Sequence, residues 1–211
     1  IPIDISQNVL EILEKDIRSE LPDIQMRTWQ GEYFKVLHDL KESHHPKLVL
    51  FLGSNIGNLK DDKAQQFLEI LGQNLNLGDY LLLGVDLIKS KELVVPAYND
   101  KQGITSAFNL NLLYRINREL DADFDISAFS HQVEYNPEEG IVKSYLQSDK
   151  SQEVTIGKSG KKYQLEKGER IHTEISRKYN DELIRKITEN THFNRKAKFT
   201  DQNNLFADYL L

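Results

Sequence analysis

The sequence predicts an α/β fold in which one doubly wound parallel sheet carries an inserted α+β segment. Three observations lead there. Strand and helix signals alternate through residues 1–91, the pattern of a parallel sheet covered by helices on both faces. Short strand-like runs with turn signals then crowd the stretch from 131 to 165, as in an antiparallel meander. Finally, a helix and two terminal apolar runs bring back the first style over residues 181–211. The boundaries that follow are 1–91 with 179–211 for the parallel domain, and 92–178 for the insertion.

Taken in order, Ile1 to Ile5 reads as a strand, and Ser6 caps a helix from about Gln7 to Leu21 that ends at Pro22. Val9, Leu10, Leu13, Ile17 and Leu21 recur at helical spacing and define one apolar face. Ile24 to Trp29 alternates like a half-buried strand. A short helical piece with Tyr33, Phe34 and Leu37 leads into a polar loop from Ser43 to Pro46. The apolar run from Leu48 to Leu52 is too short for a helix and reads as a buried strand, stopped by Gly53 and Gly57. A helix from about Asp61 to Leu75, a turn at Gly78-Asp79 and a strand from Tyr80 to Leu87 follow. Tyr98 to Ile104 reads as a polar loop, and Ser106 to Leu120 as a helix. The meander is assigned to 131–135, 141–146, 153–156 and 162–165. A helix over 181–189 and runs over 193–200 and 205–211 close the chain as an antiparallel hairpin.

Composition narrows the function classes. The 211 residues hold 27 basic and 33 acidic side chains, a formal net charge of −6. The basic residues form no run, so no nucleic-acid footprint is expected. Cysteine is absent from these residues, which removes disulfides, thiolate zinc sites and cysteine nucleophiles within them. No apolar stretch approaches the roughly 20 residues of a membrane helix, and the N-terminal residues lack a signal-peptide pattern. The expected setting is cytoplasmic, without a membrane partner. Metal binding is not expected, because His44-His45 has no spaced third ligand.

Several polar residues stand where ligands bind in such folds, outside the carboxyl ends of the strands. Asn58 follows the strand that begins at Leu48, where it could equally cap the next helix. Asp4 sits at the carboxyl end of the first strand, placed either to accept from ribose hydroxyls or to cap the helix after it. Gly53-x-x-x-Gly57 lacks the lysine and hydroxyl of a P-loop. Tyr98 lies just past Pro96 in the connection to the insertion, where a cleft between lobes is expected. Glu174 and Ser176 flank Ile175, and in an extended segment both point to one face; a solvated strand face would look the same.

Four stretches together resemble a known family: FLGSNIGN (51–58), GVDLIKSKELVVPAYND (84–100), GITSAFNLNLLYRINREL with DADFD (103–125), and IHTEISRKY (171–179). They are similar to the histidine-specific, S-adenosylmethionine-dependent Nα-methyltransferases of ergothioneine biosynthesis. The opening PIDIS resembles the second strand of that family's methyltransferase domain.

The resemblance implies a Rossmann-like methyltransferase sheet with an inserted domain, and histidine bound between the two. It implies that Asp4, Glu32 and Tyr33 contact the ribose and adenosine portions of S-adenosylmethionine, Glu32 standing where aspartate is more usual. It further implies that Asn58 and Tyr98 hold the substrate's amino-acid end and that Glu174, Ile175 and Ser176 read the imidazole. The methyl group would pass to the α-amine, repeatedly, to give the trimethylated betaine; no residue is assigned as general base. Another amino acid or amine as substrate, or a non-catalytic binding module, are the alternative readings. The family's first strand and its glycine-rich loop have no counterpart in these residues. An exposed sheet edge is therefore expected, and with it self-association through that edge.

Overall fold

A computed structural model describes residues 1–41 and 45–211. Strand β1 (Ile3–Asp4) pairs in parallel with β2 (Trp29–Gln30), joined by helix α1 (Gln7–Glu20). The Ser6 hydroxyl caps α1 by accepting from the Val9 amide at 3.4 Å. The strand expected over Ile24–Trp29 shrinks to its last residue and Gln30. Two short strands are too small a platform for the apolar face of α1: Leu10 is buried, but Val9, Leu13 and Leu21 are exposed. Helix α2 (Tyr33–Lys41) follows. The predicted polar loop around Ser43, with His44, lies outside the described residues.

Strand β3 (Leu48–Phe51), helix α3 (Asp61–Gln73) and strand β4 (Tyr80–Asp86) form the parallel unit, with Leu48 to Phe51 opposite Tyr80 to Leu83. The segment read as a polar loop from Tyr98 begins differently. Helix α4 (Lys91–Tyr98) runs through Pro96 and places Tyr98 in its last turn. Proline lacks the amide for an intrahelical bond, yet packing outweighs that loss here, because Val94 is buried against Tyr135 and Val142. Helix α5 (Ile104–Leu120) then starts two residues earlier than expected. The Asp100 carboxylate accepts from the amides of Thr105 and Ile104, at 2.8 and 3.0 Å, and these bonds hold its pKa at about 2.

Residues 129–177 do not form a single meander. Strands β5 (Phe129–Asn136) and β6 (Ile141–Ser148) form a hairpin, β7 (Gln152–Ile156) and β8 (Lys161–Leu165) a separate one, and β9 (Arg170–Arg177) returns to the far side of β6. Alternate residues of β6 are buried, from Val142 to Ser148, whereas β8 is exposed over four of its five positions. Only the first hairpin therefore offers a face on which β9 can complete a sheet.

Helix α6 (Asp181–Thr188) and strands β10 (Ala197–Thr200) and β11 (Phe206–Leu210) close the chain. The terminal hairpin joins the parallel unit in the order β10-β11-β4-β3, with β11 antiparallel to β4. The run expected from Phe193 pairs only from Ala197. Here lies the main core, where Leu68 and Leu71 of α3 and Ile184 and Ile187 of α6 cover Leu81, Leu83 and Tyr209. Among the described residues β3 has β4 as its one partner strand, and Leu48 and Leu50 on it are exposed.

Candidate functional site

The site begins where β3 ends. Gly53 and Ser54 both adopt left-handed backbone, at φ of 76° and 59°, which turns the chain sharply at the sheet's carboxyl edge. The turn is pinned from β4: the Ser54 amide donates to the Gly84 carbonyl at 3.1 Å, and the Asp86 amide donates to Ser54 Oγ at 3.0 Å. A 3-10 turn over Asn55–Asn58 follows. Helix α3 takes Lys60 as its N-cap residue, without a side-chain bond, so Asn58 is not its cap. At Gly57 the backbone of Arg177 approaches so closely that a Cβ would lie 2.7 Å from the Arg177 carbonyl oxygen. Only glycine permits this contact, which brings the turn carrying Asn58 against the end of β9.

Strand β9 supplies the facing wall. Its register against β6 shifts between Ser144 and Tyr145, leaving Thr173 as an extra residue. The Thr173 hydroxyl donates to Asn109 Oδ1 on α5 at 2.7 Å, and the bulge ends just before Glu174. Bulges of this kind re-aim the side chains beside them. Glu174 and Ser176 then share one face, and Ile175 is turned away from the cavity that they line.

That cavity, of about 370 Å³, brings together Asn58, Tyr98, Glu174 and Ser176, with Gly53, Ser54 and Asn55 on one side and Asp86, Lys178 and Phe206 on another. A larger hollow of about 440 Å³ lies between Gly72, His192 and Leu211, with Asp79 and Lys196 also on its wall, and holds none of these residues.

At the floor of the cavity is a residue that sequence reasoning did not single out. Lys178 is 2 % exposed. Its ammonium donates to Tyr98 Oη at 2.5 Å and to Ser176 Oγ at 3.0 Å, and pairs with Asp86 Oδ2 at 2.8 Å. The other Asp86 oxygen pairs with Lys89. Tyr98 Oη donates to Ser176 Oγ at 2.8 Å. Burial by itself would lower the Lys178 pKa, but the bonds to Asp86 and Tyr98 outweigh it, so the ammonium is held above the ordinary lysine value. The one available signal was position: Lys178 lies inside IHTEISRKY, two residues past Ser176.

Asp4, Glu32 and Tyr33 gather at the carboxyl ends of β1, β2 and β3. The Gly31 amide donates to the Asp4 carbonyl at 3.0 Å, setting Glu32 beside β1, while the Tyr33 ring meets Phe51 edge-on with centroids 6.2 Å apart. One Asp4 oxygen accepts from the Ser6 amide at 2.8 Å, so Asp4 braces the start of α1. Its second oxygen and the exposed Glu32 carboxylate can accept from hydroxyls, and the half-open tyrosine ring offers a face to a flat heterocycle. These groups fit the nucleoside end of S-adenosylmethionine.

The α/β sheet has a polar cavity at the carboxyl ends of β3 and β4, and the β1-β2 pair, a separate sheet, carries Asp4 at its own carboxyl end; ligands of open α/β folds bind at such edges. The chain belongs to the family described as histidine-specific, SAM-dependent methyltransferases, whose model matches residues 1–211. Among relatives, histidine N-alpha-methyltransferase of Mycolicibacterium smegmatis is 37 % identical over 184 residues, covering 87 % of this chain and 57 % of that protein. Its Mycobacterium tuberculosis counterpart is 35 % identical with the same coverage. Ergothioneine biosynthesis protein 1 of Schizosaccharomyces pombe is 32 % identical over 162 residues, 76 % of this chain and 20 % of that protein. The chain thus spans little more than half the length of the mycobacterial relatives it matches.

Proposed function

We propose that the protein containing this chain transfers methyl groups from S-adenosylmethionine to the α-amine of histidine, giving the trimethylated betaine as the first step towards ergothioneine. The observation that carries the reading is the convergence of Asn58, Tyr98, Glu174 and Ser176, from three separate stretches, on one cavity. Residues 1–91 with 179–211 then act as the methyltransferase lobe and 92–178 as the substrate lobe. Asn58 and Tyr98 hold the amino-acid end. Glu174 accepts from a ring N–H, and Ser176 meets the other ring nitrogen. Asp4, Glu32 and Tyr33 hold the nucleoside end of the cofactor, which supplies an already activated methyl group. The chain's task is to keep the amine lone pair in line with that methyl carbon. Ile175 lies between Glu174 and Ser176 on β9 and is not among the residues that line the cavity.

The test is direct. The full-length protein, given S-adenosylmethionine and histidine, is expected to yield histidine heavier by up to three methyl groups in mass spectrometry. Transfer to a different amino acid in preference to histidine would reassign the substrate, and no transfer to any amino acid would overturn the reading.

We also propose a cytoplasmic setting; among the described residues no helix is long and apolar enough to cross a membrane. The open edge of β3, with Leu48 at 55 % and Leu50 at 59 % exposure, supports self-association of the 211-residue chain by itself. Light scattering is expected to give a mass above the monomer's 24.5 kDa. Replacing Leu50 with lysine should restore the monomer; a wild-type monomer across micromolar concentrations would refute the edge contact.

A further inference from the structure

Lys178 is among the residues that line the cavity, and its ammonium is turned into hydrogen bonds with Tyr98 and Ser176. An ammonium has three protons and no lone pair, and all three are engaged, by Asp86, Tyr98 and Ser176. A serine hydroxyl has one proton and two acceptor positions. Both acceptor positions of Ser176 are filled, one by Lys178 at 3.0 Å and one by Tyr98 at 2.8 Å. The proton of Ser176 is all that remains for a ligand. Tyr98, which also lines the cavity, spends its own proton on Ser176 and accepts from Lys178, which leaves it one acceptor position.

We propose that Lys178 is a positioning residue that fixes this polarity, so that Ser176 can only donate, to a bare ring nitrogen, and Tyr98 can only accept, from an N–H of the substrate amine. The site then takes a ring with one N–H, for Glu174, and one unprotonated nitrogen, for Ser176. A ring carrying N–H at both positions would set two donors against each other at Ser176, and so would the side chains of lysine or arginine. Asp86 serves the same end from β4: bound to Lys89 and Lys178 together, it keeps the buried ammonium charged and aimed.

The inference rests on the histidine reading, and the experiment separates the two. Histidine is compared, in the full-length protein, with the pyrrole analogue that keeps the N–H facing Glu174 but has C–H in place of the nitrogen facing Ser176. The wild type is expected to favour histidine roughly tenfold in KM, the worth of one hydrogen bond, with a smaller change in kcat. Lys178→Met should narrow that preference to about threefold or less, and Ser176→Ala should cost little more once Lys178 is gone. Lys178→Gln, whose amide NH2 can still donate, should recover part of the preference; it also serves if the methionine variant does not fold. An unchanged preference in the folded Lys178 variant, or KM costs that simply multiply when the two substitutions are combined, would overturn the inference while leaving the histidine reading intact. Failure of the wild type to act on histidine would remove both.

Discussion

Replacing Asp61 with alanine is expected to destabilise the chain by about 3 kcal/mol. The reason lies in Arg177, the last residue of β9, whose side chain is 8 % exposed. Its guanidinium reaches Asp61 Oδ2 on α3 at 2.8 Å and donates to the Glu139 carbonyl, while its Nε has no partner. Removing the carboxylate strands a buried charge whose remaining contact is a neutral carbonyl. Breaking a buried pair from one side costs far more than the pair is worth as a whole. For a chain of this length such a loss lowers the melting temperature by roughly 6–12 °C. The control is Lys186→Ala: Lys186 stands 3.8 Å from the same carboxylate but is 65 % exposed, and exposed pairs contribute little. Equal melting of the two variants in calorimetry would show that Arg177 does not clamp β9 to the parallel unit.

For the full-length protein, Glu174→Ala is expected to weaken histidine affinity by roughly 5- to 150-fold, the range that follows from leaving a ring N–H unpaired at about 1–3 kcal/mol. The loss should fall on histidine and leave S-adenosylhomocysteine binding unchanged, because Glu174 lines the polar cavity and not the ends of β1 and β2. Isothermal titration with S-adenosylhomocysteine, then histidine, reads both. Glu174→Gln should lie between the two, since its amide oxygen still accepts. Unchanged histidine affinity in the alanine variant would remove Glu174 from ring recognition.

How much of this was legible in the sequence differs from residue to residue. The β3 run is apolar and ends in glycines, so both the strand and the turn bearing Asn58 could be read locally. Tyr98 could be placed near a cleft but not on a helix, because a proline at 96 argues for a break. The burial of Val94 against Tyr135 and Val142 is a contact across the chain that no local signal reports. The meander was over-read for the same reason. Four short strands carry the same alternation whether they form one sheet or two, and the choice depended on which hairpin β9 could pair with. Lys178 was the hardest to see. Between Arg177 and Tyr179 it reads as a surface charge, and only the approach of Tyr98, 80 residues away, turns it into a buried donor.

The sequence by itself determined the periodic elements, the alternation that gives the parallel unit and the set of residue types that a histidine site would need. These depend on spacing and side-chain chemistry, which are written locally. The tertiary structure alone decided which of them meet. Gly57 lets β9 approach the Asn58 turn, the Thr173 bulge precedes Glu174, and Lys178 meets the hydroxyls of Tyr98 and Ser176. Each of these rests on a contact between distant segments, and such contacts are set by packing and by the partnering of buried polar groups, neither of which is local.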